Sequence, residues 1–273
     1  MAYIRCSLYS GAAPGPTIPD GSTVTPTDDV QTLLNCADIW DKAYTTISQL
    51  LADTTSLLAV ITDNNAVDYL VRSTTWASAV TGDSTAMTDI GADNYASNTL
   101  LANATWCTAI CNSTYFESVL NVKVPTMTSN TTPSGECFAN SLYPSSSNYP
   151  WWAFNGNESD EGWRGSQTSS ATNIYLGYTF TNSVKCYMAT IVWDSSNITN
   201  VQYKYQSSSD QFSSDVHDVS STETTFAGKI KTIFNTYLHK DSYRLFIISQ
   251  STAGSTYNVG RVKELQFYGR SDV

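Results

Sequence analysis

Charge is scarce in this chain, and positive charge is scarcest: Lys and Arg number 14 among 273 residues against 24 Asp and Glu, a formal balance of −10. Phosphate backbones need clustered cations, and the basic residues here are scattered. Neither nucleic acid nor an anionic membrane is an expected partner. Long apolar runs are missing too: none approaches the roughly 18 to 20 residues of a spanning helix, so no membrane insertion is expected. Histidine occurs only as His217 and His239, far from Cys107 and Cys111, which leaves no imidazole to complete a metal site or activate a thiol. The six cysteines are too few and too irregular for a disulfide scaffold, and small buried hydrophobes are the expected role of Cys107 and Cys111. Nucleophile elbows and Gly-rich phosphate loops are absent. The acidic run Glu158, Asp160, Glu161 has no obvious partner for glycoside cleavage and reads as a solvated turn. No enzyme is expected.

What is present is Ser, Thr and Asn in place of charge, with 12 % aromatic and 41 % apolar residues to build a core. The length suits two modest domains or one large one. No charged n-region followed by an apolar h-region opens the chain at Met1 to Cys6. An adhesin-like composition without that signal points to release by lysis. Residues 1–28 read as an extended arm.

From Asp29 to Ile61, Leu33, Cys36, Trp40, Ala43, Ile47, Leu50, Thr54, Leu57 and Ile61 follow at spacings of three and four. This predicts a coiled-coil helix over 29–61, about 50 Å long. Leu33, Trp40, Ile47, Leu50, Leu57 and Ile61 would be its self-association seam. An amphipathic helix packed on its own chain is the alternative. Residues 62–122 carry interrupted helical signals, expected to form a small helical shoulder.

After Val124-Pro125 the texture changes to short runs rich in Tyr, Val, Ile and Phe between turn clusters. Ile174–Phe180, Tyr187–Trp193, Val201–Tyr205 and Tyr243–Ser249 are examples. They predict an antiparallel β-sandwich over 126–270. The fold class is therefore helical first, then all-β.

Several segments stand in the order of a discoidin-like (coagulation factor V/VIII C-type) domain, which the second half resembles. Ser134–Ser141 resembles its first strand, and Ala153-Phe154-Asn155-Gly156-Asn157 with Trp163 its aromatic loop. Ile174–Phe180, Lys204–Asp210, Tyr243-Arg244-Leu245 and Lys263–Gly269 follow in sequence. The resemblance implies a galactose-binding-like jelly roll. It also implies a structural Ca²⁺ held by Asn155, Asn157, Asp160 and Glu264, the alternative being a hydrogen-bonded turn in which Glu264 pairs with a cation or the backbone. Asn155 replaces the usual Asp and removes a charge. For a glycan ligand the resemblance implies loop residues at one end: Tyr149, Trp151, Trp152 and Tyr257, with Arg164, Asn258 and Arg261 for hydroxyls.

Thr85–Thr88 and Ala96–Ala102 resemble the helical part of bacteriophage tail- and fibre-type proteins. Together the resemblances imply a trimeric virion fibre or appendage protein. It would dock to another virion protein through 1–28 and display a sandwich that binds a host-surface glycan. A capsid-attached head fibre or decoration protein and a cell-encoded carbohydrate-binding module are the alternatives.

Overall fold

The computed structural model describes residues 29–143, 148–165, 170–195, 198–253 and 260–271. The arm expected over 1–28 lies outside them. The chain divides into two compact units, residues 1–119 and 120–273.

The first unit contains α1 (Val30–Cys36), α2 (Ile47–Ala52), α3 (Thr54–Thr62), α4 (Asn64–Leu70), α5 (Thr74–Thr81), α6 (Ser84–Ala92), α7 (Asn94–Ala102), α8 (Ala104–Asn112) and α9 (Phe116–Val119). Their lengths follow a ten-residue repeat. Asp53, Asp63, Ser73, Asp83, Asp93 and Asn103 stand at every tenth position, each extended and immediately before a helix. All but Ser73 accept first-turn N–H groups with their side chains. An Asp or Asn there satisfies the new helix's orphan donors and disfavours continuing the old one.

Burial keeps the same period: Leu57, Val67, Ala77, Met87, Ser97 and Cys107 occupy one buried position, and Val60, Leu70, Val80, Ile90, Leu100 and Ile110 another. Helices pack chiefly against the third one on, α1 with α4, α2 with α5, α3 with α6, α4 with α7, α5 with α8 and α6 with α9, and most also touch the next. One turn of this solenoid therefore holds three repeats. Tyr95 Oη donates to Asp68 Oδ1 at 2.7 Å between stacked turns. At Gly91 a Cβ would lie 1.9 Å from the Ser118 carbonyl oxygen, so α6 and α9 meet at a backbone contact that only glycine permits.

This corrects the single coiled-coil helix expected over 29–61. α1 ends at Cys36, residues 37–46 are irregular, and Asp53 ends α2 while capping α3. Leu33, Leu50, Leu57 and Ile61 are buried inside their own unit, Ile47 is half-buried, and Trp40 is 52 % exposed. The four buried residues are spent on their own unit and are not available as a seam between chains. Ile47, Leu50, Leu57 and Ile61 lie three, seven and four positions apart, because a ten-residue repeat sampled twice imitates a heptad. Cys107, Cys111, Cys137 and Cys186 are buried and outside any disulfide, and Cys36 is disulfide-bonded.

The second unit contains β1 (Val122–Lys123), β2 (Glu136–Ala139), β3 (Ser170–Trp193), β4 (Ile198–Ser208), β5 (His217–Asp218), β6 (Lys229–Ile233), β7 (His239–Thr252) and β8 (Val262–Arg270). The pairings are antiparallel. β3 serves both layers of the sandwich: its first half pairs with β2 and β7, its second with β6 and β8. One layer thus runs β2-β3-β7-β4-β5 and the other β6-β3-β8-β1. Two runs that read as separate strands are one strand with a corner. The exposed Thr181-Asn182-Ser183 bends the chain without reversing it. Tyr243 Oη secures the corner, 2.8 Å from the Val184 carbonyl and accepting from the Cys186 N–H at 3.2 Å. Tyr178, Tyr203, Tyr205, Phe234, Tyr243 and Phe267 fill the space between layers, several edge to face.

Candidate functional site

Pro150 opens a short 3-10 helix, Pro150–Phe154, its fixed φ suiting a first helical position. The helix is pinned at both ends. The Trp151 N–H donates to Asn130 Oδ1 at 3.3 Å, and Phe154 O accepts from the Met127 N–H at 2.8 Å. Ala153 and Phe154 are buried. The consecutive Trp151 and Trp152 do not face opposite ways as they would in a strand. Both are half-buried, their ring centroids 5.2 Å apart at 41°. Tyr149, just ahead of them, is 42 % exposed.

Trp163 is buried and exchanges backbone hydrogen bonds with Val262 at 2.8 and 3.0 Å. Arg164 follows it, its side chain 3.3 Å from Glu161 Oε1 and its carbonyl accepting from the Tyr143 N–H at 2.8 Å. Arg261, expected to meet a ligand's hydroxyls, is instead 7 % exposed and engaged in an ion pair with Asp194. Tyr257 and Asn258 lie outside the described residues.

The loop 155–162 is wound by three side chains, each closing on a backbone N–H two residues ahead. Asn155 Oδ1 accepts from Asn157, Asn157 Oδ1 from Ser159, and Asp160 Oδ1 from Gly162, at 2.8, 3.0 and 3.0 Å. Asn155 Nδ2 also donates to Asp160 Oδ2 at 2.5 Å. This winding turns the Gly156 N–H toward Glu264 Oε2, 3.2 Å away. Glu264 is 7 % exposed. Burial pushes its carboxyl up to about 8, the Gly156 N–H opposes the rise, Asp160 and Glu158 add to it, and Lys229 opposes it.

Asn155, Asp160 and Glu264 therefore meet around the Gly156 N–H, with Asn157 in the same loop and its Oδ1 on the Ser159 N–H. Two carboxylates and two amide oxygens fit a hard oxygen-seeking cation such as Ca²⁺ in ligand type, the two carboxylates matching its charge when both are ionised. Among the described residues no three His, Cys, Asp or Glu side chains gather closely enough to hold a metal by themselves, so such an ion would draw on the amides and loop carbonyls.

The remaining acids are engaged. Glu158 pairs with Lys229 at 2.5 Å. Asp215 holds both His217 Nε2 at 2.6 Å and Lys240 Nζ at 2.7 Å.

A second cluster went unread in the sequence. On the outer face of the β2-β3-β7-β4-β5 layer, Phe138, Gly177, Arg244, Gln206 and Asp218 form one cross-strand row. Tyr175, Phe246 and Lys204 form the next. Phe138 lies in the space a side chain at Gly177 would fill, since a Cβ there would be 2.3 Å from its Cζ. Arg244 Nε donates to Gln206 Oε1 at 2.9 Å, and the guanidinium carbon is 4.0 Å from the Phe212 ring centre and 4.6 Å from that of Tyr175. The signal was the alternation in Tyr243-Arg244-Leu245-Phe246, which sends Tyr243 and Leu245 inward and Arg244 and Phe246 outward.

No protein-family model matches the chain, and no curated protein matches it in sequence. Among solved structures it is similar to chitosan-binding module 1 of a chitosanase/glucanase from Paenibacillus sp. IK-5, at 18 % identity over 52 % of this chain and 99 % of that one, TM-score 0.40. It is similar also to CBM32-3 of a family 31 glycoside hydrolase from Clostridium perfringens, at 17 % identity over 49 % and 88 %, TM-score 0.40. A third is the family 32 carbohydrate-binding module of C. perfringens NanJ, solved with galactose, at 13 % identity over 54 % and 99 %, TM-score 0.38. These likenesses are low, and the sandwich assignment rests on the strand pairing described above.

Proposed function

We propose that the chain is a non-catalytic glycan-binding protein, its sandwich holding sugar against Tyr149, Trp151 and Trp152. The observation that carries this is the placement of Trp151 and Trp152 together on a short helix pinned at both ends, with the well-exposed Tyr149 immediately before it. Flat rings held rigidly stack on the C–H faces of pyranose rings, and nearby polar groups such as Arg164 supply orientation. Ca²⁺ at Asn155, Asn157, Asp160 and Glu264 is part of the proposal: bound there, it would neutralise Glu264 and fix the loop that follows the aromatic helix.

A glycan array probed with the purified chain tests the binding. Hits on neutral glycans that vanish in Trp151→Ala and Trp152→Ala, with the melting temperature retained, are the expected result. An array without neutral-glycan hits, or neutral hits indifferent to both changes, sinks the proposal.

The setting we propose is a virion appendage docked through residues 1–28. Its support is the sequence resemblance of Thr85–Thr88 and Ala96–Ala102 alone. Immunogold labelling of purified particles tests it, and unlabelled particles remove the setting while leaving glycan binding intact.

A further inference from the structure

We infer that the outer face of the β2-β3-β7-β4-β5 layer is a second binding site, built around Arg244 for the carboxylate of an acidic saccharide. Outward faces of solvated sheets are ordinarily polar. This one carries Phe138, Tyr175 and Phe246 side by side, each only partly covered, beside two cations.

Charge is the first argument. Lys204 spends its charge on Asp218 at 2.7 Å. Arg244 is 8 % exposed, its pKa lowered by burial, and among the described residues no carboxylate lies within ion-pair distance of it. Its polar contact is the neutral Gln206 amide. Asp218, next but one in the same row, offsets the Arg244 charge only from beyond ion-pair distance, its own oxygens being bonded to Lys204 and Gln206, and a carboxylate from outside would meet the guanidinium in two-point fashion. Arg244 and Lys204 thus share one carboxylate on this face, in a chain of net −10.

Backbone strain is the second argument. Gln211 and Phe212 both adopt positive φ, +53° and +65°, which side-chain-bearing residues avoid. A dense set of bonds enforces it. Ser208 Oγ accepts from the Phe212 N–H at 2.7 Å, and the Asp210 carboxylate accepts from the Ser213, Ser214 and Asp215 N–H groups. The strain holds the Phe212 ring against the guanidinium. The third argument is space: glycine at 177 lets the Phe138 ring lie flat across the sheet. A uronic acid unit matches this surface, its C–H face to the rings and its carboxylate to Arg244.

The inference rests on the glycan-binding proposal for its saccharide part but uses a different surface, so the two fail separately. Calorimetric titration of the intact chain with trigalacturonate and with its fully methyl-esterified form tests it. The acid is expected to bind at least tenfold tighter than the ester. Arg244→Gln should erase that preference, Tyr175→Ala should weaken the acid severalfold, and Trp152→Ala should leave the preference intact. Equal affinity for acid and ester, no binding of the acid, or a preference that survives Arg244→Gln overturns the inference. Should Arg244→Gln fail to fold, the half-exposed Tyr175→Ala decides, and unchanged affinity there overturns it equally. Trp152→Ala abolishing the preference would assign acid binding to the aromatic helix instead.

Discussion

The Gly156 N–H donates to the buried carboxylate of Glu264 at 3.2 Å, joining the loop after the aromatic helix to the last strand. Glu264 keeps its proton up to about 8 in the folded chain, chiefly because of burial. An unfolded glutamate ionises near 4.5, so the stabilisation is complete below that value and is lost as pH rises to about 8. Thermal melts in chelator should therefore fall between pH 5 and pH 9, by an amount on the order of a few kcal/mol. Glu264→Gln should flatten the profile. A wild-type profile that rises over that window contradicts the assignment.

Calcium should reverse the trend. A cation competes with the proton for Glu264, so its stabilising effect should grow from pH 5 to pH 9. It should shrink in Asp160→Asn, which removes the other carboxylate. Differential scanning calorimetry with calcium and with chelator reads this directly. Equal melting temperatures in the two buffers at pH 9 would show that the loop holds no ion.

Gly177→Ala should destabilise the sandwich by about 1–3 kcal/mol, the usual cost of overpacking. Its Cβ would meet Phe138 at 2.3 Å and the Tyr243 carbonyl at 2.7 Å. Adding Phe138→Ala should recover part of the loss, because the two residues share one space. Urea denaturation of the single and double variants measures the coupling, and strict additivity would mean that the ring moves aside at no cost.

The repeat caps should each matter locally. Asp63→Ala or Asp83→Ala removes side-chain bonds to first-turn N–H groups and should cost about 0.5–2 kcal/mol. Ser73→Ala, where no such cap bond exists, should cost less. Hydrogen exchange is the fitting measurement, because solenoids respond repeat by repeat. Uniform deprotection of the whole unit by each variant would argue against a repeat architecture.

Leu57→Ala should lower the stability of the helical unit by about 2–5 kcal/mol, the range for emptying a core position, without changing the sedimentation coefficient below the melt. Dissociation of a larger species on this change would restore the seam that the fold removes.

Much of the architecture was legible early. Alternating Tyr, Val and Ile runs forecast the sandwich because one buried face per strand leaves a period of two. The approach of Glu264 to the 155–157 turn followed from the resemblance alone. The repeat is written in Asp53, Asp63, Asp83 and Asp93, but its apolar positions overlap a heptad over two units, so the two periods read alike between Ile47 and Ile61. Arg261 and Arg244 exchanged their expected standing. Nothing in their neighbours along the chain told which one had a carboxylate beside it.

Sequence by itself determined what is local: where each short helix starts, which residues alternate inward, and that cations are too few for a polyanion. Tertiary structure decided what depends on partners remote in the chain. It stacked α1 to α6 each on the third helix along, bent β3 through both layers, paired Asp194 with Arg261 and left Arg244 with no carboxylate within ion-pair distance among the described residues. Hydrogen bonds and side-chain periodicity act over a few residues and are written in order along the chain. Burial and charge pairing act across space, between positions that only folding brings together.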